Sequence, residues 1–340
     1  MTPEQVQRIA QEGRFPGPKT PVSLIETHIS WVILTPAFAF KIKKNLRFSF
    51  LDFSTPERRA FFCAEELRLN RRLAPDMYLD VLPILPGPDG QPEIAAANAA
   101  GTPVDAALRM KRLDNRFQMD HLLQQHAVQA SDMELLAAHL ARFHQSVRLS
   151  GPETAYRPGD NRADFDDLFR LKPTAQELFG PAAAEQFDAW QTQTRRFLDA
   201  HETRLHQRAD GGFWVEGHGD LHARNIFLLP DGPVAFDCIE FNAHFRRLDV
   251  LNELAFLCMD LDAPGQPALA TAFLDAYCRH WPCIESPEDE RLFHYFKTYR
   301  ANVRLKIALL ELEEHPSPPA SARAGQYRLL LEQYFAVWPA

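Results

Sequence analysis

The stretch Glu216-Gly-His-Gly-Asp-Leu-His-Ala-Arg-Asn-Ile-Phe-Leu-Leu holds the residues of this chain best suited to chemistry. Asp220 is followed by Asn225, then by an apolar run, a Pro-Asp-Gly turn at 230–232, a second apolar run and Asp237. Phosphoryl transfer calls for such a set. One carboxylate must orient an attacking hydroxyl and accept its proton, while an amide oxygen and a second carboxylate hold magnesium against nucleotide phosphates. A different chemistry is open to the same stretch. His218, Asp220 and His222 alternate, so on a strand all three would face one way and could ligate zinc as in a metallohydrolase.

The spacing Asp-x-x-x-x-Asn repeats that of the protein-kinase catalytic loop. His218-Gly-Asp-Leu-His-Ala-Arg-Asn, together with Phe236-Asp-Cys-Ile-Glu-Phe, resembles the aminoglycoside phosphotransferase/choline kinase branch of the protein-kinase-like superfamily. More closely it resembles a bacterial subgroup of aminoglycoside phosphotransferase family enzymes, whose members often carry a fused C-terminal P-loop ATPase domain. No G-x-x-x-x-G-K-[ST] occurs among the 340 residues, so that domain is expected to be absent. The resemblance runs from Thr27-His-Ile-Ser-Trp-Val to Tyr299-Arg-Ala-Asn-Val-Arg.

The resemblance implies roles residue by residue. Asp220 would be the catalytic base, with Asn225 and Asp237 as magnesium ligands. Lys41 would contact the α/β-phosphates and Glu66 would be its helix partner; Lys43, on the same strand face, and Glu65 compete for those places. An adenine would meet main chain near Met110 to Arg112. Between the first two strands Ile33-Leu-Thr-Pro-Ala-Phe lacks a glycine-rich loop, and Thr35 is left to offer a hydroxyl or amide to a phosphate. His218 is read as a residue bonding loop backbone, and His222 as one that orients Asp220 or faces the acceptor. Glu240 is placed against a cationic acceptor, and Asp249, rather than Glu253, behind the catalytic loop. Arg300 and Arg304 lie four apart with Tyr299 and Lys306 nearby, either as a solvated charged face or as an anion-recognising wall.

Elements that must position these residues are legible in patterning. Ser30–Leu34 and Phe38–Ile42 flank Thr35-Pro36-Ala37 as a hairpin. Pro56–Leu73 reads as a helix capped by Ser54 or Thr55. Met77–Leu85 and Val104–Leu113 read as strands about a turn at 88–90. Asp132–Val147 places Leu135, Leu136, His139, Leu140 and Phe143 on one helical face. Residues 151–160, with Pro152, Pro158 and Gly159, read as a loop, followed by helices over 164–179 and 182–206. A β-rich island spans 213–236, and helices follow over 250–261, 266–280, 288–313 and 320–337. The patterning predicts a small β-rich N-terminal lobe and a larger helical one, with the boundary near residue 113. The resemblance implies that these form an α+β, bilobal protein-kinase-like fold, with the nucleotide contacts in the N-terminal lobe (1–113) and the catalytic loop, metal site and acceptor pocket in the helical lobe (114–340).

Composition bounds the reading. With 46% hydrophobic and 24% charged residues, the chain is of ordinary globular type and long enough for two cores. Thirty-seven Lys and Arg against 45 Asp and Glu give a net charge of −8, which argues against an electrostatic nucleic-acid binder. The most apolar early run, Trp31 to Phe40, is interrupted by Thr35-Pro36 and well short of the roughly 20 residues a bilayer needs. No signal peptide is visible. Cys63, Cys238, Cys258, Cys278 and Cys283 are odd in number and read as reduced thiols, with no zinc-knuckle spacing at 278 and 283. The expectation is a cytoplasmic, ATP- and magnesium-dependent phosphotransferase acting on a hydroxyl of a small molecule. Nucleotide and acceptor would be its partners, without nucleic acid or membrane, and no protein partner is named by the sequence. A nucleotide-binding regulator of the same fold is the alternative.

Overall fold

The structure is a computed structural model and describes residues 1–48, 50–151 and 157–338. Its elements begin with α1 (Pro3–Glu12), β1 (Ser23–Glu26), β2 (Ser30–Leu34), β3 (Phe38–Lys43), β4 (Arg47–Phe48), β5 (Leu51–Asp52), α2 (Pro56–Asn70), β6 (Tyr78–Pro86), β7 (Pro92–Ile94) and β8 (Asp105–Lys111). Then come α3 (Met119–Gln124), α4 (Ala130–Ser146), α5 (Pro158–Asp166), α6 (Lys172–Phe179), α7 (Ala182–Asp210) and β9 (Trp214–Glu216). The hairpin β10 (Ile226–Leu229) and β11 (Gly232–Ala235) follows, with α8 (Ala243–Arg246) and β12 (Arg247–Asp249) after it. The chain closes with α9 (Val250–Asp262), α10 (Pro267–His280), α11 (Pro287–Glu314) and α12 (Pro318–Ala336). No helix among the described residues is long and apolar enough to cross a membrane.

Two compact units emerge: Met1–His126 with Arg224–Arg246, and Ala127–Ala223 with Arg247–Ala340. In the first, an antiparallel six-stranded sheet runs in the order β1-β2-β3-β8-β6-β7. Strand alternation gives it two apolar faces. Trp31, Ile33, Phe40, Ile42, Leu82 and Ile84 pack beneath Val6, Ile9 and Ala10 of α1. Ala39, Leu108 and Met110 face the other way, with Cys63 and Leu67 of α2 and with Val234 and Phe236 at the β10–β11 hairpin. The sequence reading did not anticipate α1. Thr2 caps it in a reciprocal box with Gln5, and Gly13 ends it at φ +63°.

The second unit is helical. Nine of the thirteen residues of α9 are buried apolar side chains, and it packs against α10 and α11. Its N-terminus is set by the short antiparallel pair β9–β12, in which Asp249 lies opposite Trp214. Two expectations are corrected here. The helix expected over 164–179 is interrupted by a 3-10 turn, Asp167–Leu171, because Pro173 near the start of α6 has no N–H to continue it. The loop expected over 151–160 is helical from Pro158, whose fixed φ suits a first helical turn; residues 152–156 lie outside the described residues. On α4 the buried residues are Met133, Leu136, Ala137, Leu140, Ala141, Phe143 and His144, and Leu135 alone of the expected apolar side chains is exposed.

Candidate active site

In the first unit, the period-two geometry of β3 turns Phe40 and Ile42 toward α1 and therefore Lys41 and Lys43 toward α2. The Lys41 ammonium donates to Glu66 Oε1 at 2.7 Å and to Asp237 Oδ1 at 2.6 Å. Lys43 donates to the other Glu66 oxygen at 2.6 Å and to Glu240 Oε1. The two lysines are thus not alternatives. Glu66 bridges them, and Glu65 pairs outward with Arg68 at 2.8 Å. Five charges alternate along one line of contacts, Asp237–Lys41–Glu66–Lys43–Glu240.

Glu66 is fully buried and Lys43 nearly so, with the Phe53 ring 4.8 Å from Lys43 Nζ. Burial drives both ammonium groups toward neutrality, but Asp237 and Glu66 around Lys41, and Glu240 and Glu66 around Lys43, overcome it and hold both charged. Burial likewise pushes Glu66 up, yet its two lysines bring it below the usual carboxyl range. Glu240, buried with one lysine and close to the Glu66 charge, is raised.

The β10–β11 hairpin, with Ile226 opposite Ala235, returns the chain so that the Phe236 N–H donates to the Asn225 carbonyl at 3.0 Å. Asn225 and Asp237 therefore flank the foot of one hairpin. Asp237 has φ +65°, a left-handed backbone that side chains other than glycine enter uncommonly. Neighbouring groups hold it there. Its N–H donates to the Tyr78 hydroxyl at 3.0 Å, and the Cys238 N–H donates to Asn70 Oδ1 at 2.9 Å. Asn70 in turn donates to the Glu66 carbonyl at 2.9 Å. Neither Tyr78 nor Asn70 carried a signal in the sequence beyond its place on a strand and a helix.

In the second unit, Asp220 lies on the loop 217–222. The Gly219 N–H donates to Glu253 Oε2 at 3.0 Å, and the His218 N–H donates to Glu253 Oε1. The Asp220 N–H donates to His218 Nδ1 at 3.3 Å. Arg300 donates to the Gly219 carbonyl at 3.2 Å and to Asn252 Oδ1 at 2.7 Å, and the Ala223 N–H donates to Asp260 Oδ2 at 2.9 Å. Residues 253, 256 and 260 share one face of α9, so that helix grips the loop at both ends. His222, its ring edge-on to Phe256, brings Nε2 to 3.3 Å from Asp220 Oδ2. Burial raises the Asp220 carboxyl, but His222, Arg304 and His218 together pull it well below the usual range.

Several expectations are corrected by this geometry. The acid behind the loop is Glu253, one turn beyond Asp249. Asp249 instead caps α9 through the Leu251 N–H and pairs with Arg208 at 2.7 Å. Glu240 is buried on Lys43 rather than open to an acceptor. The Thr35 amide and hydroxyl both donate to the Phe38 carbonyl, closing their own turn instead of facing a phosphate. The Arg112 N–H donates to the Ala37 carbonyl and its guanidinium to the Thr35 carbonyl, so this amide is committed within the sheet; Met110 is buried in β8. No continuous cationic wall forms on α11. Arg300 is buried under the loop, Arg304 donates to the Tyr327 hydroxyl, Lys306 pairs with Asp167, and Tyr299 lies 5.5 Å from the Arg300 guanidinium. A His218/Asp220/His222 metal set would need a strand, but β9 ends at Glu216 and Gly219 turns at φ +82°. Among the described residues no such His, Cys, Asp or Glu group is assembled for a metal.

Asn225 and Asp237 offer only oxygen donors, the chemistry of a hard cation such as magnesium. Lys41 engages Asp237 Oδ1 while that side chain remains 44% exposed, so the residues present fit such an ion.

An uncharacterized protein of Mycobacterium tuberculosis is 27% identical over 317 residues, covering 92% of this chain and 59% of the relative; one from Mycobacterium bovis matches equally. The chain thus spans about three fifths of the length of these curated relatives. A choline/ethanolamine kinase family protein from Mesorhizobium loti superposes with a TM-score of 0.56 at 13% identity, over 98% of both chains. An aminoglycoside phosphotransferase of Streptomyces rimosus, solved with ADP and streptomycin, gives 0.51 at 15% identity over 88% of this chain and 99% of that one. These likenesses carry the fold: α+β, protein-kinase-like, with a β-rich N-terminal part and a larger, mainly helical C-terminal part. The family model for phosphotransferase enzymes matches residues 51–286. A match over that much of the chain, from β5 to the cap of α11, makes this protein a member of the phosphotransferase enzyme family.

Proposed function

We propose that the chain is an ATP-dependent phosphotransferase that moves the γ-phosphate to a hydroxyl of a small molecule. The observation that carries this reading is the Asp237–Lys41–Glu66 contact, in which one strand lysine joins a helix glutamate to the acid beyond the hairpin. Such a lysine is a fixed cation for nucleotide phosphates, oriented before they arrive. Asp220 is the base: it orients the acceptor hydroxyl and takes its proton, while His222 holds Oδ2 and keeps the carboxylate ionised at neutral pH. Asn225 and Asp237 hold magnesium, which when bound neutralises charge on the nucleotide phosphates. Residues 1–113 supply nucleotide contacts and residues 114–340 the catalytic loop, the metal ligands and the acceptor pocket. A cytoplasmic setting accords with five free cysteines.

The test is a screen of metabolite extracts with γ-labelled ATP, wild type against Asp220→Asn. A labelled product should form with wild type and fall by about 10²–10⁴-fold in the variant, the usual weight of a general base. ATP binding with no turnover in either protein would instead favour the nucleotide-binding regulator.

A further inference from the structure

In the second unit, Cys278 Sγ lies 4.0 Å from Cys283 Sγ. Cys278 is in the last turn of α10, and Cys283 is on the strap Trp281-Pro282-Cys283 that leads toward α11. Their settings differ. Cys278 is partly exposed, whereas Cys283 is fully buried. The Arg208 guanidinium fixes the strap by donating to the Cys283 carbonyl at 2.8 Å while it also binds Asp249 and Asp289. Trp281 stacks on Phe213 with ring centres 6.1 Å apart, and the Arg148 guanidinium lies 5.7 Å from the Trp281 ring. One thiol is therefore held in place and the other stands beside it within reach of solvent.

We propose that Cys278 and Cys283 are a site of reversible oxidation by hydroperoxides, Cys278 being the attacking thiol and Cys283 the resolving one. The Cys283 thiol and the N–H groups of Cys283 and Ile284 favour the Cys278 thiolate against the effect of burial, which is the state that reacts. Burial instead pushes the thiols of Cys63 and Cys258 up. In the first step the Cys278 thiolate attacks a peroxide oxygen, the O–O bond breaks, and hydroxide leaves with Cys278 as a sulfenic acid. In the second, Cys283 sulfur attacks Cys278 sulfur, the S–O bond breaks, and the Cys283 proton leaves in water as the S–S bond forms. Two thiols and one hydrogen peroxide give one disulfide and two waters. The sulfurs must close to about 2.05 Å, a movement that falls to Cys278 because Cys283 is anchored.

Trypsin cleaves after Arg279, between the two cysteines, and fragmentation of the joined peptides tells Cys278 from Cys258, which lies on the same peptide, 248–279. The reduced full chain is treated with equimolar hydrogen peroxide, alkylated in denaturant and digested without reductant. Wild type should lose two of its five alkylatable thiols and yield the 278 and 283 peptides joined, about 2 Da lighter than their sum. Dithiothreitol should restore both. Cys283→Ser should stop at a sulfenic acid on Cys278, about 16 Da heavier and trapped by dimedone, and Cys278→Ser should show neither product. Separate, fully alkylated peptides in wild type would overturn the proposal. So would a Cys278 that runs on to sulfinic acid, or a crosslink formed only between two chains. None of these readouts depends on phosphoryl transfer.

Discussion

Two ways of fixing an acidic group coexist in this molecule. Around Asp237 the work falls to side-chain charge: ammonium groups on a central strand are neutralised in turn by buried carboxylates, and the line ends on an acid that is half exposed. Around Asp220 it falls to the backbone: two consecutive amides sit on the Glu253 carboxylate, and a carbonyl between them and Asp220 accepts from Arg300. The first arrangement depends on its buried partners, Glu66, Lys43 and Glu240, since a buried charge without its counterpart is costly. The second tolerates the loss of one bond better but depends on the shape of a loop. A sheet supplies rigid positions for long side chains, whereas a loop must be held by its own N–H groups.

Breaking the charged line should have the larger effect. Glu66→Gln leaves two buried ammonium groups short of one carboxylate and should cost about 3–5 kcal/mol in denaturant unfolding. Hydrogen exchange should rise first along residues 38–43, and intact exchange there would show that Glu66 is dispensable. In the second unit, Glu253→Gln should cost about 1–3 kcal/mol, because the amide nitrogen that replaces one carboxylate oxygen is a donor and cannot accept the loop N–H which that oxygen held. Its effect carries a pH signature. Burial raises the Glu253 carboxyl, but His144, whose Nε2 lies 3.7 Å from Oε1, and His218 bring it from the ordinary 4.5 down to about 2. A depressed acid contributes its full stability above its unfolded value and loses it as pH falls through the folded one. The gap between wild type and Glu253→Gln should hold steady above pH 4.5 and narrow toward pH 2 in acid titrations of unfolding; a constant gap would remove Glu253 from this role.

Gly217→Ala probes the shape of the loop. A Cβ there would lie 2.8 Å from Glu253 Oε1, so the carboxylate must withdraw. About 1–3 kcal/mol of destabilisation is expected, with loss of amide protection at 218 and 219 in exchange experiments. Glu65→Gln sharpens the comparison from below. Its partner Arg68 is 52% exposed, so a change below about 0.5 kcal/mol is expected in the same unfolding assay. A larger change would mean that adjacent glutamates on α2 share the load.

What could be read from the chain alone was what local pattern encodes. The β2–β3 and β10–β11 hairpins follow from alternation around turn residues, and α2 from its Thr55 cap and Pro56. The α1 helix was readable too, because Thr2 and Gln5 form a capping box ahead of Val6, Ile9 and Ala10 at helical spacing. In contrast, β1 is exposed throughout and β7 begins on proline, so neither presents an apolar alternation. Within the site, period two could not choose between Lys41 and Lys43, because both lie on one strand face and both are used. Nor could spacing tell Asp249 from Glu253. They lie four apart, about one helical turn, and which of them meets 217–222 depends on a fold-level contact that Gly217 permits. The thiol pair was hidden for a related reason: proximity across a helix end depends on how the strap turns at Trp281.

The left-handed backbone at Asp237 narrows what can replace it. Among oxygen-bearing residues, asparagine shares that tolerance, so Asp237→Asn should preserve the turn, the Tyr78 contact and the fold while removing the negative charge. A β-branched residue would fail twice, once by its backbone and once by its chemistry. At this position shape and charge can therefore be varied separately, so a single conservative exchange distinguishes an acid retained for its reactivity from one retained for its bend.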